Sequence, residues 1–128
     1  MLVAIFTGLL SLVLIVVAPH SAAQEATEGK ALYATYCSGC HGGSGKGDGP
    51  AARTLSAKPA DHTRVAMRNH SDQYLADIIS KGGTSVGKSS SMPAWNGVLK
   101  EPQISAIVSY IRDLSSRQKE AGKQGPAK

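Results

Sequence analysis

Large rings are scarce in this chain. Phe, Trp and Tyr make up 5% of its 128 residues; there is one Trp and one Phe, and the Phe lies in the N-terminal apolar run. A domain of about 105 residues with so few rings has a thin core of its own. Cysteine is scarcer still, with two in all. A structural zinc site needs four ligands, and there is no second Cys pair to supply them. No segment alternates apolar and polar residues as a half-buried strand would, which points to an all-α fold and away from the strand-helix setting of a thioredoxin-like dithiol. Paired carboxylates and a Cys-His-Asn arrangement are also missing, so nothing reads as a catalytic constellation and the chain is not expected to be an enzyme. There is no internal repeat. No Lys or Arg precedes the apolar run, where a signal peptide normally carries one.

That run spans residues 1 to 18 and is followed by Pro19 and Ser21-Ala22-Ala23, a small-x-small site for signal peptidase. Residues 1–23 are read as a signal peptide, with the mature chain starting at Gln24. The run is also near the ~18 residues of a membrane anchor, which leaves a retained leader as the alternative. Either way the domain is exported, and the expected location is the periplasm. The formal net charge of +5 falls wholly after the leader. Such charge suits nucleic acid, an anionic membrane or an acidic protein surface. Export argues against nucleic acid, and a membrane role is expected only if the leader is retained.

Cys37-Ser38-Gly39-Cys40-His41 carries the most information. Two thiols three residues apart, followed at once by an imidazole, are the pattern of covalent c-type haem attachment. On a helical turn, positions i and i+3 share a face, so Cys37 and Cys40 can reach two vinyl groups on one side of a porphyrin. His41 can present a ring nitrogen to the iron as a proximal ligand. A buried haem would also supply the apolar bulk that the aromatics do not.

Helical periodicity appears in three places. From Thr27 to His41, Tyr33, Tyr36, Cys37 and Cys40 form one stripe. From Ser71 to Lys81, Tyr74, Leu75, Ile78 and Ile79 form another, with Ser71 as N-cap and Gly82-Gly83 as a stop. From Pro102 to Ser116, Ile104, Ile107, Val108, Ile111 and Leu114 follow helical spacing. The five glycines between Gly42 and Pro50 predict an irregular loop, and a second loop runs from Gly82 to Trp95. The domain is read as residues 24–116, and residues 117–128 as a disordered polar tail. In the second loop Gly82, Gly87, Lys88 and Ser89 match a phosphate-binding pattern. That pattern works only after a strand and before a helix, and here a helix precedes it, so no nucleotide partner is expected.

A second axial ligand would come from elsewhere in the chain. Thioether sulfur favours ferrous iron and raises the potential. Met92 sits in a loop stiffened by Pro93, from which its sulfur could approach the face away from His41. Met67, His62, His70 or an open position are the alternatives.

Gly29-Lys30-Ala31-Leu32-Tyr33, the Cys37 to His41 motif, Gly47-Asp48-Gly49-Pro50, Met92-Pro93-Ala94-Trp95 and Ile107-Val108-Ser109-Tyr110-Ile111 occur in that order. Together they resemble a class I, single-haem bacterial c-type cytochrome over nearly all of the mature chain. The resemblance implies a small cytochrome c fold, with three main helices and long loops around one covalent haem. Cys37 and Cys40 would form the thioethers, and His41 and Met92 would be the axial ligands. It also implies that the Pro50 carbonyl accepts a hydrogen bond from His41, that Gly29 allows close crossing of the first and last helices near Tyr110, and that Trp95 packs at the haem edge. The implied function is one-electron shuttling between redox proteins. The alternatives are a ligand-binding or peroxidase-like haem protein with an open sixth site, and a docked cytochrome subunit of an oxidase or dehydrogenase. One departure is His62, which follows Pro59-Ala60-Asp61 where members often carry a large aromatic. It is read as a surface or core histidine.

Overall fold

The computed structural model describes residues 21–123, which form α1 (Ala22–Tyr36), α2 (Ser38–His41), α3 (Asp72–Lys81) and α4 (Glu101–Lys123). Three short 3-10 turns, Pro50–Thr54, Val65–Asn69 and Gly83–Val86, punctuate the loops, and no strand occurs among the described residues. The expected all-α architecture with three main helices is therefore the one observed. Most of the leader, residues 1–20, and the last five residues of the tail lie outside the described residues. No helix among the described residues is long and apolar enough to cross a membrane.

The helix ends follow local chemistry. The Ser71 hydroxyl caps α3 by accepting the Tyr74 N–H at 3.1 Å, and Gly82 stops that helix at φ +82°. Ser21 caps α1 in the same manner, accepting from the Gln24 N–H at 3.3 Å. The first helix starts earlier than the stripe from Thr27 indicates, because Ser21 provides a cap and Ala22 and Ala23 are strong helix formers. It is also interrupted at Cys37, whose φ of −113° separates α1 from the single turn of α2. At the other end α4 continues to Lys123 instead of stopping near Ser116. The polar segment after Ser116 holds Gln118, Lys119, Glu120 and Ala121, which favour helix, and Arg117 pairs with Asp113 one turn back. Polarity alone did not make this part of the tail irregular.

The core forms where α1 and α3 meet the apolar stripe of α4. Tyr33, Leu75, Ile79, Ile104, Ile107, Tyr110 and Ile111 are all buried in it. Each full burial of such an aliphatic is worth about 1.5–3 kcal/mol. α1 crosses α4 at Gly29. A Cβ there would stand 1.8 Å from the Ala106 carbonyl oxygen and 3.1 Å from the Tyr110 Cβ, so only glycine permits this backbone approach. The crossing and its place beside Tyr110 are as the sequence implied. Below it the Tyr33 and Tyr110 rings meet edge to face at 5.2 Å.

The segment before α3 is pinned to α4 by two arginines. Arg112 donates to the Met67 carbonyl at 2.8 Å, to the His70 carbonyl at 2.5 Å and to the Asp72 carboxylate at 2.7 Å. Arg68 donates to the Ser115 carbonyl at 3.0 Å. The planar guanidinium thus satisfies carbonyls at the end of an irregular segment that has no ladder of its own.

Candidate haem site

The motif turn presents its two thiols and its imidazole to one cavity. Cys37 is buried, Cys40 is half-buried, and neither is in a disulfide. Both line a cavity of about 430 Å³ together with His41. Burial, with a smaller contribution from the neighbouring Cys40 charge, pushes the Cys37 thiol up to about 12. A redox dithiol requires the opposite shift, toward an accessible thiolate.

His41 is oriented by a neighbouring segment. Its Nδ1 lies 3.0 Å from the Ala60 carbonyl oxygen. A carbonyl can only accept, so the proton sits on Nδ1 and the Nε2 lone pair is left for a metal. Burial moves the His41 pKa downward, with this hydrogen bond opposing it, and the neutral form is the one a metal needs. The orienting carbonyl was expected from Pro50, and the structure corrects this. The Gly42–Gly49 loop runs along the main chain of the motif: Gly47 N–H donates to the His41 carbonyl at 2.8 Å and Gly49 N–H to the Cys40 carbonyl at 3.1 Å. A Cβ on Gly49 would lie 2.4 Å from the Gly39 carbonyl oxygen, so the loop passes too close to the backbone for any other residue. Pro50 then opens a 3-10 turn, and the 59–62 segment passes the ring instead.

His62, read only as a surface or core histidine, is a core residue in contact with the site. It is buried, and its ring stacks on His41 with centroids 4.2 Å apart and planes 19° from parallel. Its Nδ1 is 2.9 Å from the Tyr33 hydroxyl, and its N–H donates to the Gly45 carbonyl at 2.6 Å. Burial, aided by the neighbouring His41, pushes its pKa down to about 3, against a weaker opposing pull from Asp61. Nothing in the sequence linked Tyr33, His41 and His62, because they come from three separate segments.

Much of the remaining wall is apolar, from Leu75, Ile79, Ile107 and Ile111 among others. Packed interiors leave few voids larger than a water, so an apolar volume of this size is a ligand cavity. Met92 lines it, and so does Met67. The structure thus brings both methionines to the cavity, although Met67 comes from a polar stretch. His70 also lines it, with its ring stacked on Tyr74 at 4.4 Å. The backbone of Met92 is held against the end of α3: its carbonyl accepts from Gly83 N–H at 3.0 Å and its N–H donates to the Ser89 carbonyl at 3.3 Å. Trp95 reaches the same wall and packs edge to face on Tyr36 at 5.3 Å.

The phosphate-binding look-alike is folded into this Met92 loop. It follows α3, and its N–H groups are spent internally: Gly87 donates to the Thr84 carbonyl at 3.2 Å and Lys88 to the Gly83 carbonyl at 2.8 Å. A phosphate cradle would need those groups free.

Two thiols one helical turn apart, an imidazole with its proton fixed on Nδ1, thioethers within reach and apolar walls together fit one covalent haem. The fold and the cavity define a single-haem c-type cytochrome domain, a class that works in electron transfer. The comparison with known proteins narrows the class. Residues 24–111 match the family described as cytochrome c oxidase, cbb3-type, subunit III, and the chain belongs to that family. It is 28% identical over 96 residues to the cbb3-type cytochrome c oxidase subunit FixP of Bradyrhizobium diazoefficiens, covering 75% of this chain and 30% of that protein. It is also similar to a chain of the reducing HAO-like protein complex of Kuenenia stuttgartiensis, with a TM-score of 0.56 and 27% identity over 79% of this chain and 46% of that one. The chain thus spans less than a third of the curated relative and less than half of the solved one.

Proposed function

We propose that this protein is an exported one-electron carrier whose single haem is joined to Cys37 and Cys40 and held axially by His41 and Met92. The convergence of the two thiols, the oriented imidazole and the Met92 loop on one apolar cavity carries this reading. When bound, the haem supplies a one-electron ferric/ferrous couple. The residues of this chain do the rest. The Ala60 carbonyl holds the His41 proton on Nδ1. Leu75, Ile79, Ile107 and Ile111 keep water from the cavity, which favours a ferrous state that carries less charge. The Met92 thioether is a soft ligand that acts in the same direction. With His41 and Met92 both holding the iron, no position would remain for substrate, and the chain would act as an electron carrier.

Covalent attachment has a direct test. Protein matured in an exporting host should keep its haem through acid-organic extraction, and its intact mass should show one haem per chain. The same spectrum reads the N-terminus, which should be Gln24 if residues 1–23 are a cleaved leader. Haem that extracts freely would remove the c-type assignment.

Docking is proposed at the cavity mouth. Lys58 and Lys88 are exposed and line it, and Lys46 is exposed on the loop after the motif. Lys81, at the end of α3, is exposed too, but its ammonium lies 2.7 Å from Asp77, which offsets part of its charge. Reversal of Lys88 to Glu should lower the bimolecular electron-transfer rate with an acidic redox partner roughly two- to five-fold at low salt, and Lys81→Glu should lower it less. Stopped-flow rates across ionic strength check this. A rate that does not change with salt would mean apolar docking.

A second reading keeps the chemistry and changes the partner. The family takes its description from an oxidase subunit, and the curated relative is described as one. In that case this domain passes its electron inside a larger assembly. Co-purification with an oxidase from native membranes, with the leader intact, would select it.

A further inference from the structure

We infer that His62 is a positioning residue for the axial histidine, fixing the rotation of the His41 ring by stacking on it while Tyr33 holds His62 from behind. This rests on His41 being an axial ligand.

A hydrogen bond to Nδ1 does not by itself fix an imidazole. It restrains one atom, and the ring can still rock about the line between Nδ1 and the carbonyl. The second restraint is the His62 ring face, 4.2 Å away and within 19° of parallel. Both come from one short stretch: Ala60 supplies the carbonyl and His62 the ring. That stretch is itself held. Asp61 accepts from the Thr63 N–H at 3.0 Å and from the Thr63 hydroxyl at 2.6 Å, and the His62 N–H is bound to the Gly45 carbonyl. The outer edge of the His62 ring is held by the Tyr33 hydroxyl at 2.9 Å, and Tyr33 is 1% exposed, wedged edge to face between His62 and Tyr110. A rigid chain therefore runs from the α1–α4 crossing, through Tyr33 and His62, to the face of His41.

The choice of histidine over a plain aromatic follows from this. A Phe at position 62 could stack on His41 but could not share a hydrogen bond with Tyr33, so its own rotation would be set by packing alone. Histidine is flat enough to stack and polar enough to be tied to α1.

The orientation of axial ligand planes is read by electron paramagnetic resonance of the ferric low-spin haem. The test uses the haem-loaded protein and its His62→Ala, His62→Phe and Tyr33→Phe variants. The native protein should give one sharp low-spin species. His62→Ala should shift its largest g value and split or broaden the signal, as the freed ring samples several rotations. His62→Phe should stay closer to native than His62→Ala, since the stack is kept. Tyr33→Phe should move the signal in the same direction as His62→Ala by a smaller amount. Tyr33→Phe is close to isosteric and carries the test if His62→Ala does not load haem. A native signal in His62→Ala, or in Tyr33→Phe where His62→Ala cannot be made, would overturn the inference. The two levels separate cleanly: a native protein without a low-spin signal contradicts the two-ligand reading itself, whereas a low-spin native protein with unmoved variants contradicts only the role of His62.

Discussion

Met92→Ala is expected to open the sixth coordination position. The sulfur-to-iron charge-transfer absorption should vanish, exogenous ligands such as imidazole should bind, and the reduction potential should fall by on the order of a hundred millivolts, within the ~0.8 V that axial ligand choice spans. The direction follows from the soft thioether, which stabilises ferrous iron more than ferric. The loop itself should survive, because its anchors to α3 are backbone hydrogen bonds: the Met92 carbonyl to Gly83 N–H at 3.0 Å and the Trp95 N–H to the Ile79 carbonyl at 3.0 Å. Met67→Ala is the necessary partner experiment, since Met67 also lines the cavity. Its backbone is held by Arg64 and Arg112, so truncation should remove only half-buried side-chain packing, about 1 kcal/mol, and leave the spectrum unchanged. Loss of the sulfur band in Met67→Ala and not in Met92→Ala would reverse the ligand assignment.

Gly29→Ala should be the most destabilising of the conservative substitutions. The added Cβ would lie 1.8 Å from the Ala106 carbonyl oxygen and 2.5 Å from its carbon. Both are backbone atoms of α4 and have no rotamer to change, so the helices must separate. Overpacking typically costs ~1–3 kcal/mol, and a backbone clash belongs at the upper end. Alanine returns up to ~1 kcal/mol through helix propensity, leaving a net loss of about 2 kcal/mol or a fall in Tm of roughly 8–16 °C. Gly29→Val should be worse. Gly39→Ala is the control, because a Cβ at Gly39 meets nothing within 4 Å. Thermal melts of the haem-loaded variants compare them. Equal Tm values for Gly29→Ala and the native protein would mean that the helix crossing tolerates a wider separation.

The features that were legible in the sequence are those carried by local spacing. The motif from Cys37 to His41 is a single turn, so its chemistry is written in consecutive residues. The stripe from Ile104 to Leu114 and the Ser71 cap fixed α4 and α3 for the same reason. Two misjudged boundaries came from treating polarity or a stripe as a helix limit: α1 starts at its cap and α4 continues while helix formers last. The features that were not legible lie between segments. Pro50 follows the motif closely and was the natural candidate to hold His41, yet the glycine loop uses its hydrogen bonds along the motif backbone and leaves the ring to Ala60. His62 departs from the usual aromatic and reads as a surface or core histidine; its partners Tyr33 and His41 are 29 and 21 residues away, and no periodicity connects them. In each case a residue type was readable and its partner was not.

A haem held on both sides by His41 and Met92 would carry electrons and bind nothing else. Carbon monoxide added to the ferrous, haem-loaded protein probes this closure, because the gas binds ferrous haem only at an open position. The absorption spectrum should remain unchanged over minutes of exposure in the native protein and convert fully to a carbonyl form in Met92→Ala. Rapid, complete conversion of the native protein would contradict His/Met closure and make this domain a ligand-binding haem protein.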